Sequence, residues 1–143
     1  MIGKCLCGEI QFELLGDIPN LYQCHCSLCR KQGGASSNVA TIIPEGQFSW
    51  KFGQDNITYF KKDTGFSSDF CAKCGSPVAN RLRDSAFYWI PAGLLEDEIG
   101  LEVVAHIYTK FKASWDEIPI DGTHFDEMPG LQEFQSVLQA KKV

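Results

Sequence analysis

The clearest pattern along the chain is the strict alternation of polar and apolar residues in Glu9-Ile10-Gln11-Phe12-Glu13-Leu14. Successive side chains of a strand point to opposite faces, so this segment predicts a strand with Ile10, Phe12 and Leu14 directed inward. Gly16-Asp17-Ile18-Pro19 reads as a turn, and Asn20-Leu21-Tyr22-Gln23 as extended chain leading into Cys24. Phe48-Ser49-Trp50-Lys51-Phe52 repeats the alternation with its aromatics on one side, between turns at Pro44-Glu45-Gly46-Gln47 and Gly53-Gln54-Asp55-Asn56. Ile57-Thr58-Tyr59-Phe60, Val78 to Leu82 and Phe87 to Ile90 predict further strands. The tryptophans and phenylalanines of these segments have the character of sheet packing before that of a substrate platform. The period changes near the end, where Leu131, Phe134 and Leu138 recur at helical spacing and predict one short helix over 130–140. The expected fold is therefore mainly β, built of twisted antiparallel sheets with a short C-terminal helix.

Size and charge narrow this picture. A chain of 143 residues is expected to form a single domain over 1–143, large enough to bury a core without depending on crosslinks. No apolar run approaches the roughly 18–20 residues of a membrane-spanning helix, so no membrane partner is expected. The opening Met1-Ile2-Gly3-Lys4-Cys5 lacks the apolar stretch of a secretory signal, which makes the cytoplasm the expected compartment. The formal net charge is -5, and much of the acidic excess falls late, at Glu96-Asp97-Glu98, Asp116-Glu117, Asp121 and Asp126-Glu127. Such a surface repels a phosphate backbone and argues against nucleic acid as a partner. Arg30-Lys31 is a short basic pair, read as solvated charge or as help in holding an anionic ligand.

The seven cysteines change the picture most. They form three groups: Cys5-x-Cys7-Gly8, Cys24-His25-Cys26-x-x-Cys29 and Cys71-x-x-Cys74-Gly75. An odd number of cysteines, spaced two or three apart and without a secretory signal, suits metal chelation better than a disulfide framework. Turns of this length let two thiolates converge on one ion, and a following glycine relieves the backbone there. Soft sulfur ligands in tetrahedral sets favour zinc. The simplest partition is two zinc ions per chain. Cys5, Cys7, Cys71 and Cys74 would close one structural site; Cys24, Cys26 and Cys29 would hold a second ion with a fourth position open. Two other readings stand beside it: Cys71 and Cys74 as a redox pair, and His25 as the fourth ligand closing the second site.

Three thiolates around Zn²⁺ make a weak Lewis acid, better suited to holding an incoming thiol than to activating water. A thiolate is a strong nucleophile and an aldehyde a natural electrophile for it, so the expected chemistry is making or breaking a carbon–sulfur bond. His106 is a candidate acid–base group or a hydrogen-bonded structural histidine, and His124, among acidic residues, is expected to be exposed. The chain carries no Gly-x-Ser-x-Gly elbow, no H-E-x-x-H zinc motif and no dinucleotide or phosphate loop.

Cys5-x-Cys7-Gly8-Glu9, Cys24-His25-Cys26-x-x-Cys29-Arg30-Lys31, Phe70-Cys71-x-x-Cys74-Gly75-Ser76, Gly93-Leu94 and His106-Ile107 together resemble the glutathione-dependent formaldehyde-activating enzyme family. The resemblance runs over residues 2–116, leaving 117–143 as an acidic extension. It implies a twisted all-β zinc fold similar to that of a small guanine-nucleotide release factor for Rab proteins. It also implies a structural zinc on Cys5, Cys7, Cys71 and Cys74 and a second zinc on Cys24, Cys26 and Cys29. The implied activity is that of a zinc-dependent carbon–sulfur lyase, joining a small thiol such as glutathione to formaldehyde or another small aldehyde, or cleaving S-(hydroxymethyl)glutathione. A centromere-associated protein also carries this domain, so the resemblance admits a non-catalytic, zinc-stabilised protein-interaction module as the alternative.

Overall fold

The computed structural model describes residues 1–97 and 100–140. The chain divides into two compact units interleaved in sequence, Met1–Ile18 with Ile42–Ile99, and Pro19–Thr41 with Gly100–Val143. The elements in chain order are β1 (Ile2–Lys4), β2 (Gln11–Leu14), β3 (Leu21–Cys24), α1 (Ser27–Gly33), β4 (Asn38–Pro44), β5 (Phe48–Phe52) and β6 (Ile57–Lys61). They continue with β7 (Ser67–Cys71), β8 (Asn80–Arg81), β9 (Phe87–Pro91), β10 (Val103–Ile107), β11 (Thr123–His124) and α2 (Leu131–Gln139). The protein is mainly β, as the alternating pattern predicts. No helix among the described residues is long and apolar enough to cross a membrane.

In the first unit, β1, β2 and β5 form an antiparallel sheet in that order. Ile10, Phe12 and Leu14 are all fully buried, so the alternation of residues 9–14 reads the inward face correctly. Phe12 stacks on Phe48 at 5.5 Å between ring centroids and meets Trp50 edge-on at 6.1 Å. Phe52 breaks the expected stripe. The register slips between Gln11↔Phe52 and Phe12↔Trp50, and the extra residue of this bulge leaves Phe52 half exposed. β6 and β7 form an antiparallel hairpin, and the end of β4 continues into β9 and β8.

In the second unit the strand order is β11-β10-β3-β4. β3 and β4 are antiparallel, but β10 runs parallel to both β3 and β11. The expected antiparallel pairing holds for most strands, and β10 adds parallel pairs to it, making this sheet mixed. Long stretches of chain separate β3 from β10 and β10 from β11, giving each the length a parallel crossover needs. α2 packs on β10 by burying Phe134 and Leu138, four residues apart on one face. The Phe134 ring meets Tyr22 of β3 edge-on at 4.8 Å. Leu138→Ala would leave a cavity in this fully buried contact. The expected cost is about 2–5 kcal/mol, read as a lower denaturant midpoint with an unchanged slope; an unchanged midpoint would mean the helix contributes little to stability.

The helix α1 is absent from the pattern-based expectation. It has only seven residues and buries none of them, so no apolar period betrays it. Its signals are of another kind. Arg30 and Lys31 lie in the last turn, and Gly34 ends the helix in the left-handed conformation.

Candidate metal centres

All seven cysteines are free of disulfides, and their sulfurs gather in two groups. Cys5, Cys7, Cys71 and Cys74 form one, Cys24, Cys26 and Cys29 the other; within each group the sulfurs lie within 4.8 Å of one another. The first group lies wholly in the first unit and the second wholly in the second.

The four-cysteine group is made by two similar loops. In each, a glycine follows the second cysteine with positive φ, +80° at Gly8 and +78° at Gly75. That glycine's N–H donates to the carbonyl of the first cysteine, Gly8 to Cys5 at 3.0 Å and Gly75 to Cys71 at 2.8 Å. A residue with a Cβ is strained in this left-handed turn, which is why glycine stands at both places. Ser76 ties the loops together: its Oγ accepts from the Leu6 N–H at 3.0 Å and lies 3.4 Å from Cys74 Sγ. Cys5 and Cys71 are buried with Ile10 and Val78, and Trp50, Ile57 and Leu94 pack against that cluster. The site therefore grows out of the core of its unit.

The sulfur spacing tests whether a metal fits. A tetrahedral ion with Zn–S bonds of about 2.3 Å places its sulfurs about 3.8 Å apart. Cys5 and Cys7 sulfurs are 3.6 Å apart, and those of Cys7 and Cys71 are 3.7 Å apart. The Ile10 N–H also points at Cys5 Sγ from 3.4 Å, a donor suited to a sulfur that carries negative charge. These residues fit a four-sulfur metal site.

The trio is set by β3 and α1. Cys24 ends β3, where it pairs with Ile107 of β10 on one side and Asn38 of β4 on the other. Cys26 is extended and caps α1, its Sγ accepting from the Cys29 N–H at 3.4 Å. Cys29 sits in the first turn of the helix. The sulfurs of Cys24 and Cys26 are 3.5 Å apart, again close to a tetrahedral edge. S–H groups of Cys24 and Cys29 directed at Cys26 draw its thiol far below the ordinary range, and the same crowding, with burial, raises Cys24 and Cys29. All three sulfurs could be thiolates at once only with a cation among them, since like charges this close disfavour one another. Among the described residues, no further His, Cys, Asp or Glu joins the trio.

His25 does not turn toward these sulfurs. Its Nδ1 lies 2.8 Å from Asp116 Oδ2 and its Nε2 lies 3.1 Å from His106 Nδ1, so both ring nitrogens are engaged elsewhere. The reading in which His25 closes the second site is corrected by this geometry. His106 is fully buried, in the manner of a hydrogen-bonded structural histidine, and His124 is exposed with its ring 4.9 Å from that of His106. Asp116 is the residue that sequence reasoning passed over, counting it only as surface charge. After β10 the chain turns at Tyr108, in the left-handed region at φ +55°, and folds back so that Asp116 reaches His25.

Burial, with His25 and His124 nearby, pushes the His106 imidazole down to about 4 from its ordinary 6.5. On acidification the unfolded chain takes up this proton first. Stability is therefore full above pH 6.5 and declines as pH falls toward 4. Wild-type melting temperature should drop more between pH 7 and 5 than that of His106→Asn; parallel curves would contradict the assignment.

Residues 1–111 match the family described as glutathione-dependent formaldehyde-activating enzyme. A relative from Podospora anserina, provisionally named as such an enzyme, is 25% identical over 101 residues, covering 66% of this chain and 47% of the relative. One from Fusarium vanettenii with the same provisional name is 27% identical over 79 residues, covering 55% of this chain and 42% of its own. The chain thus aligns with about half the length of these curated relatives. A crystal structure of a Rhodobacter sphaeroides protein is similar in fold, with a TM-score of 0.57 and 27% identity, covering 72% of this chain and 97% of that one. With 111 of 143 residues matched and both cysteine groups assembled, the chain belongs to the glutathione-dependent formaldehyde-activating enzyme family.

Proposed function

We propose that the protein makes and breaks the carbon–sulfur bond between a small thiol, glutathione or one like it, and formaldehyde or another small aldehyde. The observation that carries this reading is a three-sulfur group with no fourth protein ligand among the described residues, in a chain that also assembles a separate four-sulfur group. A zinc ion held by Cys24, Cys26 and Cys29 would supply a soft cation with one position left for a small thiol, favouring that thiol's thiolate form. Cys5, Cys7, Cys71 and Cys74 would hold a second zinc whose role is structural.

The balance of the reaction is simple. In the forming direction the thiol sulfur bonds to the aldehyde carbon, the carbonyl π bond opens onto oxygen, and the proton lost by sulfur ends on that oxygen. The lyase direction reverses each change. No oxidant or reductant is required. The chain's own residues contribute placement. β3, held between β10 and β4, fixes Cys24, while the start of α1 fixes Cys26 and Cys29. Arg30 follows Cys29 directly. Its Nε is buried without a hydrogen-bond partner, and its Nη2 reaches only the Phe111 carbonyl, at 3.5 Å. A carboxylate of a glutathione-like thiol would pair with the outer nitrogens of this guanidinium, since guanidinium and carboxylate are matched in shape and charge.

The test is exchange between free glutathione, formaldehyde and S-(hydroxymethyl)glutathione, followed by magnetisation transfer with zinc-loaded protein. Exchange well above the buffer rate is expected. A rate equal to buffer at every protein concentration would remove the enzymatic reading.

A further inference from the structure

The chain contains three histidines, and all three fall in one row with Asp116. Two of them, His25 and His106, are 2% exposed. An imidazole is expensive to bury unless both nitrogens are satisfied, and His25 satisfies both through residues more than eighty positions away in sequence. Its place between Cys24 and Cys26 gives this arrangement a consequence. In extended backbone, residues i and i+2 face one side and residue i+1 the other. Cys24 and Cys26 therefore present their sulfurs together, and His25 points the opposite way, toward Asp116 and His106.

Asp116 is itself held. The Asp116 N–H donates to the Ala113 carbonyl at 3.0 Å, Lys112 Nζ donates to the Asp116 carbonyl at 2.9 Å, and Ala113 is buried. The His25 N–H donates to the Ile107 carbonyl at 3.1 Å, adding a main-chain tie on the same side. His25 is thus anchored at three points, and a shift of its backbone, which these contacts resist, would move both flanking sulfurs.

We infer that Asp116 is a positioning residue for the three-cysteine centre, acting through His25 with His106 as the brace. The inference rests on the proposed metal role of that trio, and it extends that role to a part of the chain beyond the 1–111 match to the family. With both imidazoles neutral, it also assigns the protons. An ionised carboxylate only accepts, so His25 carries a proton on Nδ1; its Nε2 then accepts from His106 Nδ1–H.

Two measurements test this. The first uses wild-type protein at pH 8: nitrogen-15 imidazole spectra should show His25 protonated at Nδ1 and bare at Nε2. A bare Nδ1, or protons on both nitrogens, would overturn the proton assignment whatever the metal content. The second compares zinc affinities by chelator competition in wild type, Asp116→Ala and Asp116→Asn. Asp116→Ala should weaken one of two zinc ions about 10–100-fold, as losing an outer partner of a metal centre does, and leave the other unchanged. Asp116→Asn keeps an acceptor for His25 and should recover most of that loss. Equal affinities in all three proteins, or equal weakening of both ions, would overturn the positioning role. Wild-type protein that binds only one zinc would instead defeat the metal reading of the trio, a result separable from the other two.

Discussion

Cys71→Ser is expected to halve the zinc content and to lower the melting temperature steeply or leave the protein insoluble. Cys71 is almost wholly buried at the end of β7, where its N–H donates to the Ser76 carbonyl at 2.9 Å and its sulfur faces that of Cys7. Cys7 lies on the first loop of the chain and Cys71 sixty-four residues later, so an ion gripping both loops closes a long segment. The apparent binding energy of structural zinc is about 10–16 kcal/mol at neutral pH, comparable to or larger than the whole stability of an ordinary domain. A serine oxygen is a poorer partner for a soft ion, and the remaining sulfurs, the buried one of Cys5 among them, would lose part of the cation's compensation. Metal analysis and thermal unfolding on the same preparation check this. Full zinc loading with unchanged melting would refute the structural role.

Cys26→Ser is expected to behave in the opposite way. Cys26 is only half-buried, caps a helix that buries nothing, and has a hydroxyl equivalent that caps helices well. The fold should therefore persist with little change in melting. One zinc should be lost, and catalysed thiol–aldehyde exchange should fall to the rate in buffer. The contrast between the two variants matters more than either result alone. One sulfur is expected to support the fold and the other the chemistry. Retained exchange in Cys26→Ser, measured against a chelator-treated control, would detach the reaction from the trio.

The strands that the sequence reveals are those with one wet and one dry face. Ile10, Phe12 and Leu14 alternate because β2 has solvent on one side, and Phe134 and Leu138 mark α2 because it too has a single buried stripe, although Leu131, which shares their spacing, is exposed at the helix start. β10 is less legible: Ala105, His106 and Ile107 are consecutive and all buried, so no period of two survives. α1 is hidden for the reverse reason, having no buried face at all. The cysteine groups were fully legible, because ligand spacing is a local property and the turns that deliver the sulfurs are local too. Asp116 was not. Its significance comes from a contact with His25 across ninety-one residues, and nothing in the sequence near Asp116 distinguishes it from Asp121 or Asp126.

The most direct test of the whole account is a zinc count on reduced, gel-filtered protein with glutathione then added. Two ions per chain are predicted, one unaffected by the thiol and one whose ligand environment changes when glutathione enters, as seen after cobalt substitution in the sulfur-to-metal absorption bands. Protein that holds no metal under these conditions, or whose cysteines are joined in stable disulfides, would contradict it.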